Sequence, residues 1–151
     1  MRALLLLLLI VALFVSGCTD PNRVIDNNAE IPNQTWSYTN KLKYDVKIED
    51  EASAYNLYFN LRVTGDYKYS NIFIILKHDD KSKTRYEFKL ANPDGEWLGS
   101  GSGNLYSYRF ALRTKYKFPA KGLYHFEIEQ NMRDNPLPGV INAGLRVEKD
   151  R

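Results

Sequence analysis

The chain has 151 residues and a net charge of +3, with 21 basic and 18 acidic side chains. This length corresponds to one domain, and the balance of charges excludes the strongly positive surface of a nucleic-acid-binding protein. The single cysteine excludes an intrachain disulfide, and two histidines are too few for a histidine-rich metal site. We therefore expect no metal, no cofactor and no nucleic-acid partner.

The first segment has the pattern of a bacterial lipoprotein signal. Arg2 precedes an apolar run over residues 3–15, and a run of about 13 residues is too short to cross a bilayer core. The sequence VSGC then ends at Cys18, which resembles a lipobox. We predict a signal peptide over residues 1–17, cleavage between Gly17 and Cys18, and lipidation of Cys18. The alternative is an ordinary signal or short anchor with an incidental cysteine.

The segment that follows is polar and rich in Asn and Pro. We predict that residues 18–35 are the lipidated N-terminus and a tether, at most about 60 Å long when extended. Val24, Ile25 and Ile31 offer apolar side chains that would dock on the domain and shorten this reach. The residues after the cysteine lack a run of Asp or Glu, which favours an anchor that faces the periplasm.

From residue 36 onward, apolar and polar side chains alternate with a period of two, which is typical of half-buried strands. Residues 72–76 are instead continuously apolar and predict a central strand that is covered on both faces. In chain order, the predicted strands cover residues 42–49, 55–63, 72–76, 85–90, 106–118, 124–129 and 141–148.

Strands of this kind must each bury one face, so residues 36–151 predict an all-β domain, an antiparallel β-sandwich of about seven strands that is immunoglobulin-like or jelly-roll-like. A closed barrel is the alternative, because periodicity does not distinguish the two. Between strands, the Gly-rich residues 99–103 predict a flexible link. On the longest strand, a basic row predicts a solvent-exposed face: Arg109, Arg113, Lys115 and Lys117.

Catalysis finds little support in the sequence. His78 falls in a predicted polar loop and His125 on a polar strand face, and no serine has a nucleophile-elbow pattern. Two carboxylate pairs, Asp94 with Glu96 and Glu127 with Glu129, would suit a glycosidase if one member were buried. A turn aspartate and a solvent-exposed face explain them better. We therefore predict that the protein is not an enzyme and acts on no small-molecule substrate.

The loop around Trp97 is the best candidate for binding a partner. Asp94 and Glu96 precede this Trp, and Gly-rich residues follow it. Trp is enriched at binding hot spots and stacks on sugar rings. We favour a structural role, in which Trp97 closes one end of the sandwich and its N–H bonds the loop backbone. The candidate partner-binding residues are Asp94, Glu96, Trp97 and, in a second loop, Arg133.

A carbohydrate-binding lipoprotein is the alternative function. It would use Trp97, Tyr106 and Tyr108 as a stacking platform, which requires exposed, coplanar rings. Alternation places both tyrosines on the face that carries Phe110 and Leu112, so we expect them to be buried.

Several sequence blocks resemble one known family. They are the lipobox and YNLYFNLR (55–62), DYKYSN (66–71), PDGEWLGSG (93–101), FP (118–119), GLY (122–124), QNMR (130–133) and GLRVE (144–148). In this order they resemble the GldH gliding-motility lipoproteins of Bacteroidetes. DGEWLG is the most specific block.

This resemblance implies a non-enzymatic lipoprotein of the cell envelope that is associated with gliding motility and the type IX secretion machinery. It implies no catalytic residues. The expected partners are the membrane, through the lipid on Cys18, and other envelope proteins of the assembly. The expected location is the outer membrane, with the domain facing the periplasm.

Overall fold

The computed structural model describes residues 17–79 and 81–151; apart from Gly17, the predicted signal peptide lies outside them. Within these residues, no helix is long and apolar enough to cross a membrane. Short turns connect the strands, and one 3-10 turn spans Pro32–Gln34. In chain order the strands are β1 (Arg23–Glu30), β2 (Thr35–Trp36), β3 (Leu42–Ile48), β4 (Tyr55–Thr64), β5 (Asn71–His78), β6 (Ser82–Lys89), β7 (Ser100–Ser102), β8 (Leu105–Tyr116), β9 (Gly122–Gln130), β10 (Leu137–Pro138) and β11 (Val140–Lys149).

Two antiparallel sheets pack face to face, which confirms the predicted sandwich. The first sheet has the order β1-β11-β4-β8-β7, and the second has the order β3-β9-β5-β6. A short ladder of β10 with β2 lies beside them. Among the described residues, no ladder joins a strand of the first sheet to one of the second, so the barrel alternative does not apply.

The seven predicted strands correspond to β3, β4, β5, β6, β8, β9 and β11. In β3 the alternation is complete, with Leu42, Tyr44, Val46 and Ile48 buried and the residues between them exposed. The apolar run 72–76 forms most of β5, which lies between β9 and β6 as expected for a central strand. Inward-facing side chains of both sheets therefore make one core.

Part of the segment predicted as a tether belongs to the sheet. Residues 23–30 form β1, an edge strand that pairs with β11 from Arg23↔Glu148 to Glu30↔Asn142. Ile31 follows and is buried in the core. The sequence of β1 has no alternating apolar pattern. Backbone pairing and polar contacts hold this strand, so alternation did not predict it. Only residues before Arg23 are left to link Cys18 to the domain.

Gly144 allows β1 to approach β11 closely. It pairs with Asn28, and a Cβ on Gly144 would overlap the carbonyl oxygen of Asn27 and the side chain of Asn28. Any larger residue at position 144 would therefore push the edge strand away. A glycine inside a strand often marks such a close approach of a second backbone.

Two tyrosines, the buried Tyr44 and the half-buried Tyr86, form hydrogen bonds from one sheet to the other. The hydroxyl of Tyr44 on β3 donates to the carbonyl of Ala143 on β11 (3.2 Å). The hydroxyl of Tyr86 on β6 donates to the carbonyl of Leu112 on β8 (3.1 Å). Burial raises the pKa of Tyr44 to about 12. These bonds give the polar tip of each ring a partner inside an apolar core.

One prediction about the β7–β8 region is wrong. The Gly-rich residues are not a flexible link, because Ser100–Ser102 form the edge strand β7, paired with β8. The predicted basic row is exposed at Arg109, Lys115 and Lys117, and Arg113 is half-buried. Arg109 contacts Asn60 and Asp26, and the guanidinium of Arg113 lies 4.9 Å from the ring centre of Tyr116. The pairing of β4 with β8 shifts register between Tyr55 and Tyr58 of β4. These shifts interrupt the alternation of inward and outward side chains on the part of β8 that pairs there.

Candidate functional site

Three loops meet at one end of the sandwich, which we call the loop end: residues 65–70, 90–99 and 131–139. Backbone hydrogen bonds tie them to one another and to the sheets. The N–H groups of Leu90 and Ala91 both donate to the carbonyl of Ser70 (2.7 and 3.1 Å), and that of Thr64 donates to the carbonyl of Gly139 (2.9 Å). The loops are therefore positioned by the strands that they connect.

The second loop begins with a tight hairpin that presents two acidic side chains. The N–H of Gly95 donates to the carbonyl of Asn92 (2.9 Å), and that of Asn92 donates to the carbonyl of Glu96 (2.8 Å). Gly95 has a φ of 87°, a conformation that favours glycine. Asp94 and Glu96 are exposed at the tip. The hairpin therefore offers its carboxylates to solvent or to a partner.

Trp97 follows the hairpin and is half-buried. It forms an isolated bridge with Ala91, and its ring stacks on Tyr106 with the centroids 5.1 Å apart. Among the described residues its indole N–H has no hydrogen-bond acceptor, in contrast to that of Trp36, which donates to the carbonyl of Asn40 (2.8 Å). Trp97 thus covers Tyr106, but the predicted bond to the loop backbone is absent from the described part.

The carbohydrate platform does not assemble as that alternative requires. Tyr108 is 9% exposed, and its hydroxyl donates to the carbonyl of Leu90 (2.7 Å), so it belongs to the core. Tyr106 and Trp97 stack on each other. Each ring therefore has one face covered by the other, and the three rings do not present one flat exposed surface.

Arg133 is exposed in the third loop. Hydrogen bonds from the side chain of the buried Gln130 hold the backbone of this loop. Gln130 accepts from the N–H of Met132 (2.7 Å) and donates to the carbonyls of Trp36 (3.2 Å) and Asp134 (3.0 Å). The hydroxyl of Tyr38 donates to the carbonyl of Met132. No local sequence pattern marks the role of Gln130, because that role depends on loops that are distant along the chain.

A polar cluster joins the third loop to the first. Lys68 lies 3.5 Å from the carboxylate of Asp134 and 5.7 Å from the ring centre of Tyr69. A hydrogen bond to Asp134 raises the pKa of Tyr69. Arg133 is next to this cluster along the chain, whereas Trp97 packs on Tyr106. The two candidates share the loop end, but no hydrogen bond or ion pair joins them among the described residues.

Neither carboxylate pair has the environment of a glycosidase. Glu127 and Glu129 lie on the outer face of β9, where Lys77 approaches both (3.0 and 3.5 Å) and Lys41 does the same (3.7 and 3.2 Å). Burial acts to raise the pKa of Glu127, but the hydrogen bond from Lys77 and the positive charges of the nearby lysines together outweigh it, and the net pKa is lowered. A general acid needs the opposite shift.

His78 is half-buried at the end of β5, so the prediction of a loop position is wrong. It ends β5 and stacks on Phe126, with ring centroids 4.5 Å apart. Its Nδ1 lies 3.3 Å from Nη1 of Arg113, which can only donate. Its Nε2 lies 3.1 Å from Asp79 but is not aligned for a hydrogen bond. Burial lowers the pKa of His78.

The N-terminal residues are tied to the opposite end of the sandwich, where β1 and β4 begin and β11 ends and which we call the N-terminal end. Cys18 is exposed, and two residues later Asp20 lies 2.7 Å from Arg146. Arg146, whose side chain is 11% exposed, also contacts Asp26 (2.8 Å) and Glu148 (2.7 Å through Nε). Burial acts to lower the pKa of Arg146, but hydrogen bonds to Asp26 and Glu148 raise it. Sequence alone did not single out this residue.

Strand direction sets the distance between the two ends. The start of β1 pairs with the end of β11, and the end of β11 pairs with the start of β4 at Tyr55. The loop end begins where β4 finishes, at Thr64. β4 has ten residues at about 3.3 Å each, so the two ends of the sandwich lie roughly 30 Å apart.

The comparisons with known proteins agree on one family. Residues 23–147 match the model of the GldH lipoprotein family. The chain is 30% identical to a gliding motility lipoprotein GldH homolog of Christiangramia forsetii, over 89% of this chain and 88% of the relative. It is 28% identical to the gliding motility lipoprotein GldH of Flavobacterium johnsoniae, over 95% of this chain and 94% of the relative. No solved structure matches the chain.

Proposed function

We propose that this chain, which belongs to the GldH lipoprotein family, is a membrane-anchored, non-enzymatic component of a gliding-motility assembly associated with type IX secretion. Both relatives carry gliding motility in their names. In this account Cys18 is the first residue of the mature protein and carries the lipid. The anchor lies in the outer membrane, and the domain faces the periplasm.

The observation that supports this proposal is the placement of the two ends. Asp20 ties the residues next to Cys18 to Arg146 at one end, whereas Asp94, Glu96, Trp97 and Arg133 all lie in loops of the other end. An anchored domain of this shape holds its loops roughly 30 Å from the lipid. Confinement near the membrane raises the local concentration of partners, so weak contacts suffice.

The first experiment tests the anchor. Mass spectrometry of the N-terminal peptide from native membranes should find acyl chains on Cys18. Replacement of Cys18 by Ala should release the domain from the membrane fraction, because a bilayer holds acyl chains at about 0.8 kcal/mol per buried methylene. A free thiol at position 18 in membrane-derived protein would contradict the anchor.

The second experiment tests the loop end. Cross-linking and affinity purification from native membranes should recover envelope proteins of the motility assembly. Trp97→Ala should reduce their recovery, because Trp is a common hot-spot residue. Thr114→Ala, at an exposed position near the opposite end of the sandwich, is the control and should leave recovery unchanged. Glycan capture that depends on Trp97, with no co-purifying protein, would favour the carbohydrate-binding alternative.

A further inference from the structure

The N-terminal end carries the most exposed large apolar side chain among the described residues. Leu123 is 56% exposed, compared with 49% for Leu98 and 37% for Leu105. It lies near the start of β9, where it pairs with Lys47 of β3. Exposure of a single leucine is unremarkable, so its meaning depends on what surrounds it.

Leu123 faces the N-terminal segment. A groove of about 490 Å³ runs between them, lined on one side by Pro21, Asn22 and Arg23 and on the other by Leu123. A second, mostly apolar hollow of about 550 Å³ lies next to it and is lined by Ile48, Gly122 and Leu123 among others. The apolar surface is thus continuous with the chain that leads from Cys18.

The link from Cys18 to this surface is too short to keep it away from a membrane. Asp20 is held by Arg146 (2.7 Å), and the carbonyl of Asn22 accepts from the N–H of Lys149 (2.8 Å). Two residues, at most about 7 Å of chain, therefore separate Cys18 from the fixed part of the domain. A lipid on Cys18 would bring the bilayer surface to this end.

Three lysines at this end are paired with carboxylates, whereas Arg23 in the groove and the exposed Lys115 and Lys117 have no ion-pair partner among the described residues. Lys47 lies 3.0 Å from Glu49, Lys149 lies 3.1 Å from Asp50, and Lys121 lies 3.9 Å from Glu51. The contact of Leu123 with lipid is therefore tested on zwitterionic vesicles, where unpaired basic side chains contribute little.

We propose that the N-terminal end rests on the bilayer that holds the anchor and that Leu123 inserts at the level of the lipid headgroups. This inference rests on the proposed lipidation of Cys18. It adds a fixed orientation, because an acyl chain and a leucine at separate points restrict how the domain can tilt. The loop end is then directed away from the membrane instead of sweeping over it.

The test uses the full lipidated chain in phosphatidylcholine vesicles. Leu123→Cys provides one free thiol for an environment-sensitive dye, because the sulfur of Cys18 is acylated. Leu98→Cys at the loop end is the matched control, since Leu98 is almost as exposed. We expect the dye at position 123 to shift to shorter wavelength and to be quenched by a lipid-borne quencher near the headgroups. The dye at position 98 should stay aqueous and unquenched.

The other possible results distinguish a failure of the docking from a failure of the lipid anchor. Mass spectrometry on the same sample reports the acyl chains of Cys18. Acyl chains present with an aqueous dye at position 123 would overturn the docking and leave the anchor intact. An unmodified Cys18 would overturn the anchor and with it the docking. A buried dye without lipid quenching, with cross-links between copies, would assign the surface to a second copy and overturn the proposal.

A second variant tests the same contact without a dye. Leu123→Glu changes an exposed position, so we expect the domain to fold. Trypsin cleavage after Lys121 in vesicles should become several-fold faster in this variant, because the charge keeps the surface out of the bilayer. Leu98→Glu should leave the rate unchanged. Equal rates for Leu123→Glu and the unmodified chain would contradict the docking.

Discussion

The two ends of the sandwich are held together in different ways. At the N-terminal end, charged side chains bind the chain to the sheet, with Arg146 between Asp20, Asp26 and Glu148. At the loop end, backbone hydrogen bonds and the buried Gln130 fix the loops, and several polar and aromatic side chains are free to face outward. The N-terminal end is therefore fixed by charged contacts, whereas the loop end leaves side chains exposed for contact with a partner.

This difference predicts where substitutions will cost stability. The largest expected effect is at Arg146. Arg146→Met keeps most of the packing but leaves three carboxylates without their shared cation. Removing one partner of a fully buried ion pair costs about 3–5 kcal/mol, and partial exposure of these carboxylates lowers the expected loss to about 2–3 kcal/mol. Urea unfolding of the mature chain with Cys18→Ser measures it. A loss below about 0.5 kcal/mol would contradict the role of this network.

The next largest effect is expected at Gly144. Gly144→Ala places a methyl group against Asn27 and Asn28, so β1 must move. Overpacking of this kind costs about 1–3 kcal/mol. Compared with the unmodified chain, the variant should show faster hydrogen exchange of the β1 amides and a smaller change for the β4 amides. Ser100→Ala on the exposed edge strand β7 is the control, and its exchange pattern should not change.

A smaller, pH-dependent effect is expected at His78. Its pKa is lowered by burial, so the unfolded chain binds a proton more readily than the folded one. Stability is therefore fully present above the unfolded pKa of about 6.5 and decreases as the pH falls towards the lowered folded pKa. Asp79 and the cation of Arg113 face the ring.

His78→Phe should keep the stack on Phe126 and remove most of this dependence. Thermal unfolding at pH 7.5 and pH 5 provides the comparison, and the decrease in melting temperature should be smaller in the variant. His125→Gln, which replaces an exposed histidine, is the control. An unchanged decrease in His78→Phe would show that another group titrates.

The smallest effect on stability is expected at Arg133. Its side chain is exposed, and substitutions of this kind usually change stability by less than about 0.5 kcal/mol. Arg133→Ala should unfold like the unmodified chain and still recover less of the partner proteins from membranes. Unchanged recovery would limit the contact surface to the loop that carries Trp97.

The sequence predicted the strands better than the site. Alternation located β3, β4 and β9 because each buries one face in the common core. It missed β1 because Asn27 and Asn28 contribute no apolar pattern, and their pairing depends on Gly144, far along the chain. The rings around His78 come from β8, β9 and the turn between them. No local pattern predicts such a cluster.

The same limit applies to the candidate site. The turn at Gly95 and the exposure of Asp94 and Glu96 follow from local turn chemistry, which the sequence contains. The stack of Trp97 on Tyr106 and the bonds of Gln130 depend on how distant loops meet. Local pattern therefore predicted which loops carry candidate residues but not how those residues are held.

Site-specific photo-cross-linking in intact cells tests the opposition of the two ends most directly. A photoreactive residue is placed either at position 97 in the loop end or at position 121 in the N-terminal end. The account predicts discrete protein adducts from position 97 and lipid adducts, without protein adducts, from position 121. Protein adducts from position 121 together with lipid adducts from position 97 would contradict it.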